Sequence, residues 1–183
     1  RPLPTAHPKV REIHHADFAD LAPIADAFRG ADACLFCLGT SVRNVAGEAE
    51  YRAIHVQYAL VAAHAMLAHS PAATFVYLSG SGTDRRSRMM WARVKAEAED
   101  QLSALPLARL VCVRPGGILS AKPSGVERWL VAPLIKAVPS LGISAEALGR
   151  AMLAAASDRS GPPRVTLENR ALKALAADAP SGH

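Results

Sequence analysis

Thr74-Phe75-Val76-Tyr77-Leu78-Ser79-Gly80-Ser81-Gly82 is the stretch that decides the fold: strand-forming residues run straight into small ones. An apolar run without polar alternation marks a strand buried on both faces of a parallel sheet. The small residues let the chain turn at the carboxyl end of that strand. Downstream, a charged segment from Ser87 to Leu105 reads as a helix that stops at Pro106. Arg109-Leu110-Val111-Cys112-Val113 is then another strand, halted by Arg114-Pro115-Gly116-Gly117. Upstream, Ala33-Cys34-Leu35-Phe36-Cys37-Leu38 repeats the pattern and ends in Gly39-Thr40-Ser41.

Helical spacing fills the gaps. Tyr51, Ile54, Tyr58, Val61, Ala62 and Ala65 place a long helix over Gly47 to His69, closed by Ser70-Pro71. Leu21, Ile24, Ala25 and Phe28 predict a helix from Asp20 to Phe28, with Gly30 as its stop. Val10 to His14 reads as a short strand ahead of it. Ser144 to Ala156 is a helix with Ser144 as N-cap, Arg164 to Leu167 a last strand and Asn169 to Ala177 a last helix. Strands alternating with helices of this length predict one α/β domain over residues 1–183, with a mainly parallel sheet.

Composition removes several classes. Of the 183 residues 50% are hydrophobic and 20% charged, so disorder is excluded, and no apolar stretch is long enough to span a bilayer. The chain opens Arg1-Pro2-Leu3-Pro4 without an apolar leader, and three cysteines give no disulfide framework; a cytoplasmic protein is expected. Net charge is +5, with arginines 85, 86, 88 and 93 as the densest basic cluster. Aromatics make up 5% and form no platform beside them, so the cluster reads as a solvated face and no nucleic acid is expected as partner. Cys34 and Cys37 lie three apart on a strand and face opposite sides, as do His14 and His15, so no metal site is expected.

In an open parallel sheet, ligands bind beyond the carboxyl ends of the strands. Here those ends carry Asp17, Gly39-Thr40-Ser41, Ser79-Gly80-Ser81-Gly82 and Pro115-Gly116-Gly117, which let backbone approach a flat ligand. Lys95, on the next helix, starts near the same edge. A serine hydroxyl beside an ammonium can polarise a carbonyl.

Taken in order, these segments resemble the short-chain dehydrogenase/reductase superfamily. The likeness is to its atypical NAD(P)-binding group, which includes Tat-interacting-oxidoreductase-like and epimerase-like members. The matching residues are Cys34 to Leu38 with Gly39-Thr40, Leu78 to Asp84, Val94-Lys95-Ala96-Glu97-Ala98-Glu99, Val113-Arg114-Pro115-Gly116, Ala147 to Met152 and Leu167 to Arg170. The resemblance implies a Rossmann-like fold binding NAD or NADP, with hydride moved to or from a small carbonyl or alcohol. It implies that Asp17 accepts the adenine amino group beside the Phe18 amide, and that Leu38, Gly39 and Thr40 pass under the adenine ribose. It makes Ser81, ahead of Ser79, the substrate-polarising hydroxyl, Lys95 the nicotinamide-ribose ligand, and Pro115, Gly116 and Gly117 the loop flanking the nicotinamide.

Two departures shape the expectations. The family's active helix reads Tyr, three residues, Lys; here Trp91 stands at the tyrosine position, and an indole N–H does not titrate as a phenol does. Negligible carbonyl reduction is therefore expected, with partial rescue by Trp91→Tyr in a version that carries the family's N-terminal glycine-rich segment. The alternative is a non-catalytic nucleotide sensor or interaction protein. The second departure is that no Gly-x-x-Gly-x-x-Gly occurs in these residues, and Arg1 aligns with the end of the family's second strand. The fold is thus read as N-terminally incomplete, with weakened cofactor affinity. In the parent strand order 3-2-1-4-5-6, the edge of Ala33–Leu38 is left to be paired by Val10–His14, covered by another subunit of a homo-oligomer, or exposed; Val10–His14 is expected directly beside it as a parallel neighbour, unless a segment absent from the sequence fills the gap.

Overall fold

A computed structural model of the chain describes residues 7–119 and 142–178. Its centre is a parallel sheet of β1 (Ala33–Phe36), β2 (Thr74–Leu78), β3 (Arg109–Arg114) and β6 (Arg164–Glu168), in the order β1-β2-β3-β6. Because all four run the same way, their carboxyl ends share one edge. A second, two-stranded parallel ladder joins β4 (Gly117–Leu119) to β5 (Gly142–Ser144), a pairing the sequence did not suggest.

The period of two along each strand sorts its side chains onto two faces. Phe75, Tyr77, Leu110 and Cys112 join Phe36 on one side, where the rings of Phe36 and Phe75 stack at 6.3 Å and those of Phe36 and Tyr77 at 6.2 Å. Covering that side are α1 (Glu48–Arg52), α2 (Tyr58–His69) and α3 (Met90–Ala104), which bury Tyr51, Ala62, Ala63, Met66, Val94, Ala98 and Leu102. Val76, Val111 and Val113 point the other way, onto α4 (Ala145–Ser157) and α5 (Asn169–Asp178) through Leu148, Ala151, Met152, Ala155 and Leu172. Ser144 caps α4 as expected, its hydroxyl accepting the Ala147 N–H at 3.1 Å.

The expected helix over Gly47–His69 is present with an irregularity inside it. Ala53–Gln57 forms a π-helical turn between α1 and α2. Such a turn shifts the backbone ladder by one residue. Into this turn the strand sends a phenol: Tyr77 donates its O–H to the His55 carbonyl at 3.1 Å.

Three expectations at the amino-terminal side need correction. Val10–His14 is not a strand; it is irregular and exposed, Val10 by 51% and Ile13 by 39%. The segment is held locally instead, with the His15 ring at 2.6 Å from the Asp17 carbonyl and 2.7 Å from that of Asp20. Asp20–Phe28 is no α-helix: Ala22–Phe28 is a 3-10 segment started by a proline and kinked at Ile24. Nor is β1 buried on both faces. Only Phe36 of its four residues is buried, because among the described residues β1 pairs with β2 alone and leaves its other edge open. The arginine at position 1 lies outside the described residues.

Candidate functional site

The carboxyl edge of the sheet gathers most of the residues singled out from sequence. Beyond β2 and β3 the two chains stay paired, Ser79 N–H to the Val113 carbonyl and Ser81 N–H to the Pro115 carbonyl, both at 2.8 Å. This pairing puts the Ser79–Gly82 turn beside Pro115–Gly116. Gly82 sits at φ +86°, in the left-handed region that favours glycine. Thr83 closes the turn by donating to the Gly80 carbonyl at 2.8 Å while its hydroxyl meets that of Ser79 at 3.0 Å. The buried Ser79 hydroxyl is thus occupied, and the exposed Ser81 presents the one that faces solvent.

Trp91 and Lys95 lie one turn apart on α3 and flank that turn from below. A Cβ placed on Gly80 would stand 3.6 Å from Trp91 Cζ3 and 4.0 Å from Lys95 Cδ; one on Gly82 would stand 3.7 Å from Trp91 Cη2. The indole therefore lies along the glycines. Lys95 Nζ donates to the carbonyls of Leu78 at 3.2 Å and Ser79 at 3.1 Å. Burial pushes its amine down to about 8, against a smaller upward pull from Glu99.

Next to it, at the end of β1, stands a residue the sequence reading passed over. His55 is 3% exposed, and its Nε2 meets both the N–H of Thr40 at 3.3 Å and the carbonyl of Thr40 at 3.2 Å. Its ring packs on Tyr51 at 4.1 Å between centroids and under Gly39, where a Cβ would come within 3.0 Å of Cε1. Nδ1 has no hydrogen-bond partner. Burial first, and then the positive charge of Lys95, push the imidazole down to about 4, so it is neutral at ordinary pH. Nothing in its local spacing singles His55 out, since its contact with Thr40 is made across the fold.

The third strand end is held by side chains from further along the chain. Gly116 donates its N–H to Asn169 Oδ1 at 3.0 Å, and Asn169 Nδ2 donates to the Gly142 carbonyl at 3.3 Å. Asn169 is buried and so ties the loop after β3 to the start of β5. Below it, Arg114 forks onto Glu99 at 2.9 and 2.5 Å and reaches Glu168 at 3.2 Å. The paired carboxylates hold that guanidinium well above its usual range. Gly117 is exposed and opens β4, whereas Pro115 is buried.

Asp17 and Phe18 lie to one side of this cluster. Asp17 Oδ1 already accepts the Ala19 N–H at 2.9 Å, and the Phe18 ring sits 6.1 Å from that of Tyr58 at the start of α2. Leu38 packs partly buried against the core beneath the same end. Two arginines of the basic cluster are neutralised: Arg85 pairs with Asp100, and Arg93 with Glu48 at 3.3 Å. Burial raises the Cys34 thiol to about 12 and shifts Cys37 upward as well. Among the described residues no helix is long and apolar enough to cross a membrane.

Against known proteins, no protein-family model matches the chain. It superimposes on an oxidoreductase of the short-chain dehydrogenase/reductase family from Burkholderia thailandensis with a TM-score of 0.57 and 16% identity, covering 86% of this chain and 72% of that one. RMD from Pseudomonas aeruginosa, solved with NADPH, matches with a TM-score of 0.54 and 17% identity over 86% of this chain and 56% of that one. These likenesses carry the fold. In sequence, Protein HTATIP2 of Rattus norvegicus is 31% identical over 168 residues, 88% of this chain and 69% of that protein. With that identity over most of both chains, the chain belongs to the HTATIP2 family of atypical short-chain dehydrogenase/reductase proteins.

Proposed function

We propose that the chain is a nicotinamide-dinucleotide oxidoreductase acting on a small carbonyl or alcohol. The observation that carries this reading is the amine of Lys95, held by the Leu78 and Ser79 carbonyls at a sheet edge built of Gly39, Gly80 and Gly116. The residues present fit the nicotinamide half of such a cofactor. Lys95 has one N–H beyond its two carbonyl bonds, and Ser81 faces solvent where a substrate oxygen would lie. When bound, the dinucleotide supplies the hydride. Ser81 orients and polarises the carbonyl, Pro115–Gly116 walls the ring from the β3 side, and Asn169 holds that wall in place. On the adenosine side, Gly39–Thr40 would pass under the ribose and Asp17 with Phe18 would meet the adenine. We place the protein in the cytoplasm, where its free cysteines stay reduced.

Trp91 supplies the test. Its indole lies along Gly80 and Gly82, so stacking of a nicotinamide there quenches its emission. Titration with NADPH is expected to quench fluorescence in the native chain, to leave Trp91→Phe unquenched, and to need higher concentration in Lys95→Met. A signal that ignores NADPH overturns the reading. Trp91 also favours a second reading, a nucleotide sensor without turnover. Binding without reduction of any aldehyde or ketone, before and after Trp91→Tyr, would select it.

A further inference from the structure

At the carboxyl edge of the sheet the proton donors of the described residues can be taken one at a time. Tyr77 is buried and spends its O–H on the His55 carbonyl, and burial pushes its acidity out of range. Tyr51 lies buried against the His55 ring, its pKa also raised by burial. Tyr58 faces Phe18. Trp91 brings an indole N–H, which does not titrate in water. The Ser79 and Thr83 hydroxyls share one hydrogen bond, and the exposed Ser81 hydroxyl is too weak an acid to donate outright. His55 keeps Nε2 on Thr40. Lys95 is different. An ammonium carries three N–H groups, and two of them account for both of its bonds, to Leu78 and Ser79.

We propose that Lys95 is itself the proton donor in carbonyl reduction, and the acceptor in alcohol oxidation, filling the role that Trp91 leaves open. The inference rests on the oxidoreductase reading above. In the step, the carbonyl carbon receives hydride from a dihydronicotinamide, which is thereby oxidised to the nicotinamide cation. The C=O π bond breaks, a C–H bond forms, and the oxygen takes H⁺ from the Lys95 ammonium to form O–H. Lys95 is left as the neutral amine, whose two remaining N–H groups match the Leu78 and Ser79 carbonyls, and it recovers its proton from water.

The surroundings suit that cycle. On α3, Glu99 is the nearest carboxylate, and Arg114 of β3 already neutralises it through two bonds. From the π-helical turn comes His55, neutral; from β2 come backbone carbonyls and the un-ionised Tyr77. Burial pushes the Lys95 amine down to about 8, outweighing the upward pull of Glu99, whose charge Arg114 shares. Turnover is therefore expected to be slow but real, in place of the negligible rate that Trp91 alone predicts. Reduction should hold its rate below pH about 8 and fall tenfold per pH unit above it, while oxidation rises over the same range.

Two experiments test this. Competitive acetylation of the chain with acetic anhydride, followed by mass spectrometry against pH, reads the Lys95 amine with exposed Lys9 as internal standard. A midpoint near 8 is expected for Lys95; one near the ordinary lysine value of ~10.4 overturns the proposal, with or without cofactor present. In the second, Lys95→Arg keeps the cation and its donors but holds its proton. Measured at NADPH concentrations that saturate each protein, reduction of para-nitrobenzaldehyde by this variant is expected to fall by ~10²-fold or more. Unchanged turnover overturns it. Failure of the native chain to bind NADPH would instead defeat the oxidoreductase reading, and the acetylation midpoint does not depend on that.

Discussion

The two ends of the sheet are built in opposite ways. At the amino ends of the strands, long guanidinium side chains seal the backbone. Arg109 donates to the Ala155 carbonyl at 2.5 Å and the Pro162 carbonyl at 3.3 Å, and pairs with Asp158 at 3.3 Å. Arg164 reaches the carbonyls of Leu105 at 2.7 Å and Leu107 at 2.9 Å. Arg159 contacts Asp32, and Ser70 bridges Phe28 and Ala31. At the carboxyl ends the side chains shrink to glycine and serine, and a single amine stands among carbonyls. Each end satisfies the backbone groups that the sheet leaves over. One does so with chain that is bonded on all sides, the other with groups that a ligand can still reach. Stability and chemistry are thereby assigned to different ends of the same strands.

That contrast can be broken most directly at Arg109. Arg109→Ala strands the buried Ala155 carbonyl, removes a bond to the exposed Pro162 carbonyl, and is expected to cost about 1–3 kcal/mol of stability by urea denaturation. A loss below ~1 kcal/mol would mean that the amino end is not the clamp. His55 tests the other end with pH. Its folded-state pKa lies below the unfolded one, so the unfolded chain takes up the proton first and stability drains as pH falls from 6.5 toward about 4. With solvent screening part of the charge, that loss should be about 2 kcal/mol. His55→Gln should flatten this arm of the stability profile, and an unchanged arm would assign it to other groups.

Gly39 sharpens the picture. A Cβ there meets His55 Cε1 at 3.0 Å, so Gly39→Ala should cost about 1 kcal/mol and weaken the Thr40 contact. The same change in a His55→Ala background should cost little, and a double-mutant cycle showing strict additivity would refute the contact as the cause. The smallest stability effect is expected at Ser81. Ser81→Ala should move the unfolding midpoint by less than about 0.5 kcal/mol equivalent, since the side chain is exposed, yet cut carbonyl reduction at least tenfold. Equal activity would remove Ser81 from the site.

Where apolar runs are continuous, the sequence was readable. Thr74–Leu78 and Arg109–Val113 became neighbouring strands because β-branched and aromatic residues have two buried faces to fill there. The site residues on the turns after them followed, since parallel strands bring their carboxyl ends together without further information. Val10–His14 misled because two branched residues three apart give no single apolar face to hold a strand against β1, and the neighbouring His15 ring ties the segment to the Asp17 and Asp20 carbonyls instead. Asp20–Phe28 carried a helical stripe, but a proline at its start favoured the tighter 3-10 turn. His55 and Asn169 were illegible as site residues for another reason. Each acts across the fold, on Thr40 and Gly116, and nothing local in the sequence announces such a partner.

The π-helical turn at Ala53–Gln57 has a consequence for how length changes are tolerated. It acts as a phase slip: the helix carries one residue more than a regular spiral of the same rise. Deleting one residue from this turn would let α1 and α2 fuse into a single α-helix, at the cost of turning one half relative to the other by about 100°. Either Tyr51 would swing out of the core or Ala59, Ala62 and Met66 would, and the carbonyl that receives the Tyr77 hydroxyl would revert to its ordinary helical partner. The extra residue works as a spacer that sets the angle between the ring pair under Gly39 and the rest of the helix.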